Sequence, residues 1–154
     1  LIFCKTKYGA DIIVKALEKA SITAASLHSG KTQTVREQVL QNFKGSNLRV
    51  LVATDVAARG IDVDDINLII NYNLPEDPRN YIHRIGRTAR AGKSGMAISF
   101  AVENDMRQLT NIENSIGQVI PVVTEQPFHK EFSKAPKQVK KKVKKTNRTR
   151  IKNK

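Results

Sequence analysis

Short apolar runs alternate along this chain with segments of helical period, and that alternation leaves few folds open. "RVLVAT" (residues 49–54) is the sharpest of the runs. It is continuous and rich in β-formers, as strands buried on both faces of a parallel sheet are. "LIF" (1–3), "AASLH" (24–28), "INLIINYN" (66–73) and "GMAISFA" (95–101) read as further strands. Between them, "YGADIIVKALEKA" (8–20) places Ile12, Ile13, Ala16, Leu17 and Ala20 on one helical face. "TVREQVLQNFKG" (34–45) spaces Val35, Val39, Leu40 and Phe43 in the same way, with Gly45 as a stop. "EDPRNYIHRIG" (76–86) opens with Asp77 as N-cap and Pro78 at the first helical position. "ENDMRQLTNIENSIG" (103–117) lines Met106, Leu109, Ile112 and Ile116 along an apolar side. Strand and helix in turn imply an open parallel α/β sheet with helices on both faces. Ligands of such sheets gather at the carboxyl ends of the strands.

The charge is unevenly placed. The chain of 154 residues carries a formal +13, yet eleven of its 27 Lys and Arg fall in residues 133–154, where there is no acid. The remaining sixteen bases face all fourteen acids, so the body is nearly neutral. We therefore expect a folded domain over 1–125 and a basic tail over 126–154. The tail lacks apolar periodicity and is expected to be disordered in isolation. The lone Cys4 excludes an internal disulfide framework and a Cys-based zinc site, and reads as a small buried hydrophobe. His28, His83 and His129 lack ligand-like spacing, so no metal site is expected, and His129 reads as solvated. No apolar stretch approaches membrane-spanning length, and no signal peptide opens the chain. The start at Leu1, inside a strand, reads as a fragment lacking its N-terminal part.

Two stretches carry the chemistry. In "VLVATDVAARGIDV" (50–63) a buried strand runs into Thr54 and Asp55, then into Arg59, Gly60 and Asp62. A hydroxyl and backbone amides there suit a phosphate, and Asp62 could accept from a ribose hydroxyl. The plainer alternative is a strand, a tight helical turn and a capping Asp. In "YIHRIGRTARAG" (81–92), His83, Arg84, Arg87 and Arg90 crowd eight residues, with Gly92 as the helix breaker. Helical spacing puts His83, Arg84 and Arg87 on one side. Guanidinium groups suit bidentate phosphate recognition and stay charged at any working pH. The plainer alternative pairs this basic face with the body's acids, such as Asp62, Asp64 and Asp65. No GxxxxGK[ST] phosphate loop occurs in the chain.

Taken together, the order "FCKTK", "LHSGKTQTVRE", "ATDVAARGID" and "HRIGRTARAG" closely resembles the C-terminal RecA-like domain of DEAD-box RNA helicases. The segment "IENSIGQVIP" (112–121) further resembles the bacterial RhlE-type subgroup. One departure is visible: Ala89 stands where the family usually has Gly. The resemblance implies an ATP-dependent RNA helicase half, inactive without its N-terminal RecA-like partner domain. ATP would lie between the two domains, with Mg2+ held by the absent one. By the same resemblance Arg87 and Arg90 are arginine fingers, Asp62 contacts the ribose, and Gly60 and His83 belong to the ATP site. Thr6, Lys7, Gly30, Arg36, Thr54 and Arg59 fall on RNA backbone contacts, whose chemistry is sequence-blind. The implied protein is a cytoplasmic monomer that binds RNA and no membrane. Its rivals are a non-enzymatic RNA-binding or adaptor module and a DNA helicase of the same superfamily. Tyr8 and Tyr72 read as packing residues rather than base-stacking platforms.

The tail generates the first prediction. Lys134 to Lys154 should supply most of the chain's RNA affinity and little specificity. Truncation after Phe132 should weaken binding and flatten the slope of log K against log salt by roughly 0.7 per lost phosphate contact. Salt titrations of both forms on single-stranded RNA check this, and an unchanged slope overturns it.

Overall fold

A computed structural model describes residues 1–59, 63, 66–89 and 94–131. Five strands form one parallel sheet: β1 (Ile2–Phe3), β2 (Ala24–Leu27), β3 (Val50–Ala53), β4 (Leu68–Asn71) and β5 (Met96–Ser99), in the order β2-β3-β1-β4-β5. The helices are α1 (Lys7–Lys19), α2 (Gln33–Lys44), the short α3 (Asp55–Ala58), α4 (Pro78–Ile85) and α5 (Met106–Ile116). Local chemistry starts three of them. Thr6 Oγ1 accepts from Gly9 N at 3.0 Å, Thr32 Oγ1 from Val35 N at 3.4 Å, and Asp77 Oδ1 from Arg79 N at 2.9 Å. Each supplies an acceptor to a helix N-terminus that otherwise leaves its first N–H groups unpaired. Asp77 and Pro78 thus act as the sequence implies.

Alternation along the strands divides the core between the two faces of the sheet. Phe3, Leu27, Leu51, Ala53 and Ile69 face α2, whose Val39, Leu40 and Phe43 pack on them. Ile2, Cys4 and Val52 point the other way, onto Ala10, Ile13, Val14 and Leu17 of α1. Leu74 and Tyr81 pack with Ile112 of α5, supported by Leu109 and Ile116. Cys4 is buried, as its apolar neighbours imply.

The helical faces differ from expectation in two places. The stripe of α1 runs through Ala10, Ile13, Val14 and Leu17; Ile12 is 66% exposed, and Ala16 and Ala20 are exposed too. An i, i+3, i+4, i+7 stripe starting from Ala10, buried beside Cys4, turns residue 12 to solvent. Val35, in the first turn of α2, is also exposed. Of the described helices, only α1 packs on its face of the sheet, so the β4–β5 end of that face carries exposed Leu68, Tyr72, Met96, Ile98 and Phe100. Tyr72 and Phe100 meet edge to face at 6.2 Å there. Tyr8, expected to pack, is 71% exposed, with Lys7 Nζ 5.2 Å above its ring. His129 is half-buried rather than solvated.

Residues 117–131 form no helix or strand, and 132–154, most of the expected tail, lie outside the described residues. No described helix is long and apolar enough to cross a membrane.

Leu51 is fully enclosed, so Leu51→Ala should cost about 2–5 kcal/mol of unfolding free energy. Ile12→Ser should stay within about 0.5 kcal/mol. Denaturant titrations of both variants test the face assignment of α1; a multi-kcal loss for Ile12→Ser would refute it.

Candidate nucleotide and RNA interface

The strand order reverses at β1: the chain leaves β1 toward β2 on one side and leaves β4 toward β5 on the other. Crossovers diverge at such a point and leave a crevice at the carboxyl ends of the strands. A cleft of about 300 Å³ opens there, lined among others by Lys5 after β1, Thr54 and Arg59 around α3, and Glu76 and Asn80 near α4. Lys5 Nζ and Glu76 Oε1 close one rim at 2.7 Å. Their hydrogen bond raises the lysine and lowers the glutamate from their ordinary values. Both are exposed, so the pair shapes the rim more than it stabilises the fold.

The floor of the cleft is Arg84. Its side chain is 3% exposed. Nε and Nη2 donate to the two carboxylate oxygens of Asp55 at 2.6 and 2.7 Å. Nη1 donates to Asn71 Oδ1 at 3.0 Å and to the Asn73 carbonyl at 2.8 Å. The guanidinium also lies 4.9 Å from the Phe3 ring centroid. One side chain of α4 therefore grips α3, the end of β4, the loop after it and the end of β1. Asn71 in turn donates to Ser99 Oγ of β5 at 3.1 Å.

This splits the basic trio, His83, Arg84 and Arg87, that helical spacing placed on one side. Tyr81, Arg84 and Thr88 turn inward, where the Thr88 hydroxyl donates to the Ile66 carbonyl. His83 is exposed and Arg87 half-buried. The helix stops at Gly86, ahead of the expected break at Gly92, so Arg87 stands just beyond it. A Cβ on Gly86 would sit 3.1 Å from the Ile82 carbonyl oxygen. Ala89 has φ 54, the left-handed region that favours glycine. The glycine usual in the resembling family would take that geometry without strain. Arg90, Gly60 and Asp62, and the rival partners Asp64 and Asp65, lie outside the described residues. The alternative pairing of the basic face with acids holds for Arg84, and its acid is Asp55.

A second cluster joins α1 to the β2–α2 loop. Asp11 Oδ1 accepts from Ser26 Oγ at 2.5 Å and lies 3.2 Å from His28 Nε2 and 3.3 Å from Lys31 Nζ. The Ser26 hydrogen bond, with His28 and Lys31 behind it, outweighs partial burial and holds the Asp11 carboxyl at about 2. Thr6 and Lys7 open α1 beside this cluster, and Gly30 belongs to it. Arg36 reaches Ala57 O at 3.4 Å, tying α2 to α3. The expected RNA-contacting residues thus all fall at the carboxyl edge of the sheet: Thr6 and Lys7 after β1, Gly30 and Arg36 after β2, Thr54 and Arg59 after β3. The Gly30 N–H is given to His28 Nδ1 at 3.1 Å. Sequence reasoning missed Asp11, His28 and Asn71, and it read Asp55 and Arg84 without their partnership. The signals were an acid, Asp11, beside the apolar stripe of α1 and polar residues at or just past the strand ends. Among the described residues no group of three His, Cys, Asp or Glu could hold a metal ion.

Residues 1–92, more than half the chain, match the helicase conserved C-terminal domain. The chain belongs to that family. Among its relatives, ATP-dependent RNA helicase FAL1 of Phaeosphaeria nodorum is 45% identical over 113 residues, covering 73% of this chain and 30% of that protein. Eukaryotic initiation factor 4A of Dictyostelium discoideum is 46% identical over 113 residues, covering 73% and 28%. A DEAD box protein from Methanococcus jannaschii superposes with a TM-score of 0.72 at 44% identity, covering 76% of this chain and 32% of that one. The E. coli DEAD-box protein SrmB, solved bound to regulator of ribonuclease activity A, gives 0.78 at 34% identity, covering 86% and 79%. This chain is a C-terminal helicase domain of the DEAD-box kind, with the RecA-like parallel sheet of those domains. It spans less than a third of the length of these two curated relatives.

In this helicase domain the Arg84 grip should dominate stability at the crevice. Arg84→Met should cost on the order of 3 kcal/mol, because Asp55 and Asn71 lose their partner. Asp55→Asn should cost less, and the double variant should cost less than the sum. Thermal or denaturant melts of the four proteins decide it; strict additivity would overturn the pairing.

Proposed function

We propose that this chain is the C-terminal half of an ATP-dependent RNA helicase, closing on ATP and RNA bound by a preceding RecA-like domain. One observation carries this reading: α4 presents His83 outward, with Arg87 half-buried just past its end, while its inward Arg84 holds the turn bearing Thr54 and Arg59. Nucleotide-facing and RNA-facing residues are thereby parts of one rigid block. In this assignment Arg87 and Arg90 neutralise charge developing on the transferred γ-phosphoryl, and Asp62 accepts from the ribose, with Gly60 allowing close approach. His83 stands beside them. Thr6, Lys7, Gly30, Arg36, Thr54 and Arg59 track the RNA backbone. Mg2+ belongs in this reading to carboxylates of the preceding domain.

The finer assignments are ours as well. Residues 126–154 act as a separate basic arm for RNA, and the protein works as a cytoplasmic monomer. The RhlE-type assignment rests on "IENSIGQVIP" alone, since the curated relatives quoted above are eukaryotic.

An arginine finger acts as charge develops, so its loss lowers turnover more than ATP binding. In the two-domain protein, Arg87→Ala or Arg90→Ala should reduce RNA-stimulated kcat on the order of 10² or more, with a smaller change in ATP KM. Arg90→Lys should rescue poorly, because an ammonium lacks the planar fork. Steady-state ATPase assays check this. A wild type that binds RNA without hydrolysing ATP would favour the adaptor reading instead.

A further inference from the structure

The His28 imidazole is 5% exposed and has a partner at each nitrogen. Nδ1 accepts from the Gly30 N–H at 3.1 Å, so the ring proton must sit on Nε2, which faces Asp11 Oδ1 at 3.2 Å. Only the neutral Nε2–H tautomer satisfies both bonds, since a proton on Nδ1 would face the Gly30 N–H donor to donor. The carboxylate that fixes this tautomer sits one turn below Lys7 on the same side of α1. It also receives Ser26 Oγ and Lys31 Nζ.

The ring is the wall against which the loop folds. A Cβ on Gly30 would stand 3.1 Å from His28 Cε1 and Nδ1, and 3.9 Å from Lys7 Cδ. Gly30 is therefore seated between the imidazole and the lysine stem, where no side chain fits unless the ring yields. The loop is closed a second time by Lys31 N, which donates to the His28 carbonyl at 3.1 Å. Two chain segments, one starting α1 at Lys7 and one entering α2 at Gly30, are so brought into contact.

We propose that His28, held in its Nε2–H form by Asp11, is a positioning residue that sets Gly30 and Lys31 beside Lys7 for a single-stranded RNA backbone phosphate. This rests on the RNA reading above and assigns Gly30 a different task. Its amide builds the loop, and the lack of a side chain lets the phosphodiester approach Lys7 and Lys31. His28 touches no phosphate; it acts through the loop it closes.

The two ring nitrogens can be tested apart. The Asn amide oxygen can occupy the place of Nδ1 and accept from Gly30, whereas the Gln amide nitrogen can occupy the place of Nε2 and donate to Asp11. In the 154-residue chain, anisotropy titrations with a fluorescent single-stranded RNA should give about 5- to 10-fold weaker binding for His28→Gln, the weight of one lost hydrogen bond. His28→Asn should recover most of that loss. The basic tail is common to every variant, so the differences report the folded face. Lys7→Ala and Arg36→Ala test the RNA reading separately. If they bind as the wild type does, that reading falls and the positioning role with it. If they weaken binding while His28→Gln does not, the positioning role alone is overturned. A long-range 1H–15N spectrum of the wild-type imidazole gives a readout independent of RNA and of variant stability. It should show the Nε2–H tautomer, and an Nδ1–H signal would overturn the proposal.

Discussion

The crevice depends on one buried cation. A guanidinium taken out of water is tolerable only when its donors are nearly all matched, and Arg84 matches them by drawing on Asp55, Asn71 and Asn73. Because these partners belong to different elements, the requirement to satisfy one charge becomes a requirement on the placement of α3, β4, the following loop and α4. The strand ends around it are polar for the same reason. Asn71 has no exposure at all, and its side chain is spent between Arg84 and Ser99.

The same logic recurs across the sheet, with an anion at the centre. Asp11 gathers a hydroxyl, an imidazole and an ammonium, and through them binds α1 to the β2–α2 loop. At two places along the carboxyl edge, then, one charged side chain with several partners fixes the loops: a buried arginine at one, a partly exposed aspartate at the other. The apolar core cannot do this work. Hydrophobic burial is non-directional and sets how the helices lie on the sheet, but it does not set where a loop backbone stops to within a hydrogen-bond length.

This difference explains what was legible in the sequence. "RVLVAT", Asp77–Pro78 and the Met106–Ile116 stripe each carry a local signal, through run length, capping chemistry or period, and all appear where they were read. Ile12 failed because period alone gives a stripe's width and leaves its phase to the partner surface; Cys4 and Ala10 set that phase. The quartet of residues 83–90 failed in a related way. Spacing on a helix grouped His83, Arg84 and Arg87, but the helix ends at Gly86, and the pull on Arg84 comes from an acid 29 residues earlier. Long-range pairing of this kind leaves no mark in local pattern. Asp11 and His28 are 17 residues apart and escaped notice for the same reason.

Arg84 also shows why one arginine among several must face inward. If Arg87 and Arg90 are to meet a phosphoryl group from a second domain, their segment must be held while its outer side chains stay available. Half of that segment is a two-turn helix, too short to be stable by its own hydrogen bonds. Tyr81 supplies apolar burial on the inner face, but Arg84 supplies direction, because its planar fork bonds Asp55 through two parallel N–H groups while the third nitrogen turns to Asn71 and Asn73. A lysine at this position would bring the charge but only a single nitrogen, which cannot span the carboxylate and the β4 end together. The crowding of like charges between residues 83 and 90 therefore has two physical origins. One arginine secures the helix against the sheet, and that security is what allows its neighbours to be placed rather than merely exposed.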